Sequence, residues 1–185
     1  MLKKIFLFLT FVFCIILFSG SAVFAQTTTG MASVANTKTE RNIRKEILSL
    51  PYYGVFDAIG YQLNGDTVTL NGYVVRPTTK SDAEASVKDV DGVTNVVNNI
   101  KVLPLSPMDD RIRVRTYRAI ADQGSLYRYL LGTNPAIRII VNNGHVSLEG
   151  IVSDETDKNL AGIAAKEIFG VFSVENNLQL EKRVS

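Results

Sequence analysis

Residues 64–74 read NGDTVTLNGYV and residues 142–152 read NNGHVSLEGIV. A shift of 78 positions lays Val68 on Val146, Leu70 on Leu148, Gly72 on Gly150 and Val74 on Val152 without a gap. The register continues through Ala83 over Ala161, Gly92 over Gly170, Val93 over Val171, Val96 over Val174, Asn98 and Asn99 over Asn176 and Asn177, and Ile100 over Leu178. Self-similarity at a fixed period means that one supersecondary unit is built twice.

The unit follows from its spacing. Val68, Leu70, Gly72 and Val74 alternate with Thr67, Thr69, Asn71 and Tyr73, the period of a strand with one buried face. Upstream, Ile59, Tyr61 and Leu63 match Ile137, Ile139 and Val141. Asn64, Gly65 and Asp66, or Asn142, Asn143 and Gly144, separate the two runs and tolerate positive φ, so each pair reads as a hairpin. A glycine inside each second strand implies a bulge or a helix backbone too close for a Cβ.

Lys3 and Lys4 precede the apolar run Ile5 to Phe18, and small or tolerated residues follow up to Ala25. This pattern predicts a secretory signal peptide over residues 1–25; the alternative is an uncleaved anchor, for which the run is shorter than the roughly 20 residues of a spanning helix. Cys14 lies inside the run without the small residues that precede a lipid-modified cysteine, and it is the only cysteine. The exported chain then has no disulfide, thiol nucleophile or thiolate metal site. Losing Lys3 and Lys4 from 20 basic residues leaves 18 against 18 acidic ones, so bulk charge gives no support for a nucleic-acid role.

Residues 26–38, QTTTGMASVANTK, are polar and aperiodic and read as a disordered lead-in. Thr39 is placed to cap a helix from Glu40 to about Ser49, with Ile43, Ile47 and Leu50 on one face and Pro51 at its end. After the first hairpin, Thr79 or Ser81 is placed to cap a second helix carrying Ala83, Val87 and Val90, which Gly92 stops. Val93 to Val102 forms a third strand. The second copy repeats this, with a helix over Asp154 to Phe169 and a strand over Val171 to Leu180. A right-handed crossover sets strand three parallel to strand two. The expected fold class is α+β: two repeated α-β-β-α-β units, each a three-stranded mixed sheet with two helices on one face. The domains expected are 39–103 and 109–181, joined by a linker over 104–108 whose two prolines make it short and stiff.

An Asn-Gly turn and the run V-x-L-x-G-x-V, then an alanine-bearing helix, then G-V-x-x-V-x-N-N followed by Ile100 or Leu178, occur twice. This pattern resembles the BON domain, and the tandem arrangement resembles OsmY-like periplasmic proteins with two such domains. The resemblance implies a non-enzymatic envelope protein, exported to the periplasm, proposed to bind anionic phospholipid or the membrane surface under osmotic or envelope stress. Outer-membrane relatives with two BON domains carry a lipid on an N-terminal cysteine; no such site is visible here, so membrane contact would fall to the folded surface.

The copies differ most in their first helices. In the second, Arg111, Arg115 and Arg118 fall on one stripe with Arg113 nearby, while Val114, Tyr117 and Ala121 form an apolar stripe. The longer connector that follows supplies Tyr127, Arg128, Tyr129, Leu130 and Leu131. Basic, aromatic and aliphatic residues together suit a lipid interface. Arg111, Arg115, Arg118, Tyr117, Tyr127, Arg128, Tyr129 and Leu130 are therefore the candidate lipid-binding residues. The plainer reading makes the arginines a solvated face balanced by Asp109, Asp110 and Asp122, and has Tyr127, Leu130 and Leu131 closing the core.

Catalysis finds little support. The single histidine, His145, aligns with Thr67 and reads as a strand surface residue. The cluster Asp154, Glu155 and Asp157 lacks the alternating ligands and glycine of a calcium loop, and acids at a helix start complement its dipole without an ion. No cofactor or metal is expected. The alternative to lipid is a protein-interaction module that pairs an envelope protein with a strand edge.

Overall fold

The computed structural model describes residues 26–181. The expected signal peptide, with Cys14, lies outside the described residues. In chain order the elements are α1 (Gln26–Leu48), β1 (Ala58–Asn64), β2 (Thr67–Val74), α2 (Pro77–Lys88), β3 (Asn95–Asn98) and β4 (Lys101–Val102). Then follow α3 (Pro107–Ala121), a 3₁₀ helix (Gly124–Leu130), β5 (Ile137–Asn142), β6 (His145–Val152), α4 (Glu155–Lys166) and β7 (Ser173–Leu180).

Both repeats have the expected topology. β2 pairs antiparallel with β1 and parallel with β3 and β4, and β6 pairs antiparallel with β5 and parallel with β7. Ile43 and Ile47 of α1, Val68, Leu70 and Val74 of β2, and Ala83 and Val87 of α2 share one buried cluster, so both helices cover the same face of the sheet. In the second repeat Ile112 and Ile120 of α3, Val146, Leu148 and Val152 of β6, and Ala161, Ala164 and Ala165 of α4 do the same. Alanines on α4 let that helix lie close to its sheet.

Several local expectations need correction. α1 begins at Gln26, so residues 26–38 are helical where a disordered lead-in was expected. The stretch contains no proline, and once a helix has nucleated each added residue gains a hydrogen bond. α2 starts at Pro77 with Arg76 at its N-cap and no side-chain cap, so neither Thr79 nor Ser81 caps it. Proline suits the first turn because its missing N–H has no helical partner there. The third strand of the first repeat is split into β3 and β4, and Asn98 Oδ1 takes the N–H of Ile100 at the break. α3 begins at Pro107, within the stretch expected as a linker, with Ser106 Oγ accepting the Asp109 N–H at 3.2 Å.

The recurrent strand glycines answer to a neighbouring strand and not to a helix. A Cβ on Gly72 would lie 2.0 Å from the Ala58 carbonyl oxygen, and one on Gly150 would lie 1.9 Å from that of Ala136. Their φ angles are +128° and +127°, a region open almost only to glycine.

Residues from Thr39 onward form one compact unit, and within it the repeats touch. The connector before β1 reaches the free edge of β5, where Ile139 N–H donates to Val55 C=O at 2.7 Å. Arg138 Nη1 donates to Gly54 C=O at 2.6 Å, and its guanidinium stacks 4.4 Å from the centre of the Tyr53 ring. Burial pulls the Arg138 pKa down, and Tyr53 and Asp57 oppose this. Tyr117 meets Phe56 edge-on at 6.5 Å.

Candidate functional site

α3 buries Asp109, Ile112, Arg113, Thr116 and Ile120. The apolar stripe read as Val114, Tyr117 and Ala121 is thus corrected: Val114 is 42% exposed, and the inward stripe carries an arginine and a threonine that disguise it. Buried polar groups need partners. Both oxygens of Asp109 accept backbone N–H groups of the β5–β6 turn, from Asn143 and Gly144 at 2.8 Å each. Arg113 pairs with Asp110 and donates from Nη2 to Val141 C=O at 2.8 Å. The N-terminal half of α3 is thereby fixed to the sheet.

The opposite face of α3 presents Arg111, Val114, Arg115 and Arg118 to solvent. Among the described residues none of these three arginines has an ion-pair or hydrogen-bonding partner, which removes Asp109 and Asp110 as the balancing acids. Val114, Tyr117 and Arg118 also line a groove of about 490 Å³ with Phe56 and Leu130. Tyr127 and Leu131 are 49% and 52% exposed.

The rest of the connector turns inward. Tyr129 and Leu130 are 8% and 5% exposed, so they are corrected from surface candidates to core residues. Tyr129 Oη donates to Asp157 at 2.6 Å and accepts the Ser153 N–H at 2.9 Å. Arg128 Nη2 donates to Asp157 at 2.6 Å. Hydrogen bonds from Tyr129, then from Arg128 and Ser125, hold the Asp157 carboxyl below the usual carboxylate range despite its burial. Arg128 is therefore already committed within the chain.

Both repeats match the family model described as BON domain, over residues 35–104 and 109–182. The chain belongs to the BON-domain family. BON domains are non-catalytic, binding-type modules, typical of envelope proteins. No curated protein matches the chain. Among solved structures, the C-terminal domain of CdsD, a structural protein of the type III secretion system of Chlamydia trachomatis, is similar at 13% identity and a TM-score of 0.32, covering 77% of this chain and 96% of that one. A second structure of CdsD from Chlamydia trachomatis gives 13% identity and a TM-score of 0.32, covering 78% and 92%.

The second BON domain places His145 on an exposed strand end, its Nδ1 2.8 Å from Ser173 Oγ and its ring 5.9 Å from that of Phe172, with no carboxylate bonded to it among the described residues. Asp154 is spent as the cap of α4, accepting the Asp157 N–H at 2.9 Å. Among the described residues no group of three or more His, Cys, Asp or Glu gathers as a metal site. Among them, too, no helix is long and apolar enough to cross a membrane.

Sequence reasoning missed the turn between α4 and β7, where Phe169 and Phe172 are 86% and 71% exposed. Setting FGVF at 169–172 beside DGVT at 91–94 is the comparison that finds it.

Proposed function

We propose that this is a non-enzymatic protein exported to the periplasm, and that its second BON domain rests on anionic phospholipid through the outer face of α3. The observation that carries the reading is the row of Arg111, Arg115 and Arg118, all exposed and none paired among the described residues. Unpaired guanidiniums on one helix face favour a polyanionic surface, each basic residue contributing about 1 kcal/mol near anionic lipid. Tyr127, half-exposed beyond the end of α3, is suited to headgroup depth. Tyr117 belongs to the site's edge, since its ring also packs on Phe56. A role in osmotic or envelope stress would follow from surface association, without chemistry.

Co-sedimentation with vesicles containing phosphatidylglycerol tests the reading. Binding is expected at low salt, to weaken as salt rises, and to fall at least about a hundredfold in R111E/R115E/R118E, which reverses three charges. Unchanged binding by the triple variant removes α3 from the interface. Capture of the same envelope protein from lipid-free and lipid-containing extracts would instead favour a protein-interaction module.

A further inference from the structure

At the end of α3 where the chain enters it, three segments meet. The Asn143–Gly144 turn is held by the buried Asp109 carboxylate. Phe172 N–H donates to Gly144 C=O at 2.8 Å, and its ring lies over Gly144, where a Cβ would come within 2.6 Å of it. Met108 Cε reaches to 3.1 Å from where a Cβ on Gly170 would stand. Phe172, beside the His145 ring, and Met108 thus sit on one backbone platform, 71% and 41% exposed, with Phe169, the residue before Gly170, 86% exposed and Leu105 just before α3 96% exposed. A cluster of large apolar side chains raised into solvent is costly unless something covers it.

The first BON domain builds the same platform without the apolar crown. Thr94 N–H donates to Asp66 C=O at 2.8 Å, as Phe172 does to Gly144, and Gly92 faces Thr39 where Gly170 faces Met108. Its turn reads Asp91-Gly92-Val93-Thr94, and Thr39 Oγ1 donates to Asp91 C=O at 3.2 Å. The fold therefore does not require aromatic residues there.

Charge and continuity decide the occupant. Met108, Arg111, Arg115 and Arg118 follow one another at steps of three, four and three residues, so they lie along one face of α3. The apolar crown stands at one end of that row. A rigid apolar tip next to a basic row matches a bilayer, whose apolar interior lies beneath an anionic surface. We propose that Phe169 and Phe172, with Met108, insert between the acyl chains of an anionic bilayer while the α3 arginines lie on its headgroups. This rests on the lipid reading above and adds to it the depth and orientation of the bound domain.

The protein contains no tryptophan, so F169W places a single reporter at the tip. F169W is mixed with vesicles of phosphatidylcholine alone, and with vesicles also containing phosphatidylglycerol. Insertion predicts a blue-shifted emission on anionic vesicles only, and quenching by lipids brominated along the acyl chain. F169A/F172A, with an unchanged circular dichroism spectrum, is expected to lower the partition coefficient about tenfold. Binding with an unshifted emission and full affinity of F169A/F172A overturns the insertion and leaves the α3 reading standing. Absence of wild-type binding at low salt overturns both. A blue shift that appears without lipid as protein concentration rises, together with a dimer in sedimentation, assigns the tip to a second copy and overturns the insertion.

Discussion

Position 79 and position 157 occupy the same place in the two repeats, inside the first turn of the helix that follows the hairpin. In the first repeat it is Thr79, fully buried, whose hydroxyl has no hydrogen-bond partner among the described residues. In the second it is Asp157, which accepts from Ser125, Arg128 and Tyr129. Those three partners all come from the 3₁₀ helix, an insertion that the first repeat lacks. The same framework accommodates a mute residue or a hub, according to whether a neighbouring segment brings donors. The turns before β3 and β7 teach the same lesson outside the core: the backbone bonds are kept, and the side chains they display have separated into Asp91 and Thr94 on one copy and Phe169 and Phe172 on the other.

The comparison can be broken hardest where the copies agree. G72A and G150A each force a Cβ to within about 2 Å of a carbonyl oxygen, at a φ that alanine rarely adopts. Each variant is expected to lose about 3–5 kcal/mol in urea denaturation. A mild effect in either repeat would show that the strand pairing there can shift.

Where the copies differ, D157A is expected to cost about 1–2 kcal/mol at neutral pH, discounted because the Arg128 side chain is 55% exposed. The sign with pH follows from the depressed carboxyl. Its contribution is complete above the unfolded carboxylate value of about 3.9 and is lost as pH falls through the lower folded value. The gap in stability between wild type and D157A should therefore close as the solution is acidified below about pH 4, and a gap that widens there would contradict the assignment. T79V removes a buried hydroxyl with no partner and should be neutral, or stabilising by up to about 1 kcal/mol. A clear loss in thermal unfolding would mean that this hydroxyl has a role that Asp157 alone was thought to fill.

The duplicated register made the topology legible, because alternation and turn glycines are local signals that tertiary packing did not overrule. The position of Gly72 and Gly150 was legible too. Their cause was not, since a carbonyl on the partner strand leaves no mark near them in the sequence. The buried stripe of α3 was misread because Arg113 looks like a surface residue until Asp110 and Val141 C=O are seen beside it, and because Thr116 is buried although its hydroxyl finds no partner among the described residues. Tyr129 and Leu130 were indistinguishable by composition from Tyr127 and Leu131, which share their 3₁₀ stretch or adjoin it. Only the pairing of Tyr129 with Asp157, 28 residues away, separates core from surface. Arg111, Arg115 and Arg118 could be placed on one stripe from spacing alone, as the exposed face of α3 has it.

The bond between Val55 and Ile139 carries one more consequence. A strand at the rim of a sheet invites foreign strands, and here the rim of the second domain is shielded by backbone that belongs to the first. The two copies are consequently not interchangeable beads. The earlier one acts partly as a guard for its successor at that one rim, while the opposite rim, β7, has no further strand beside it among the described residues.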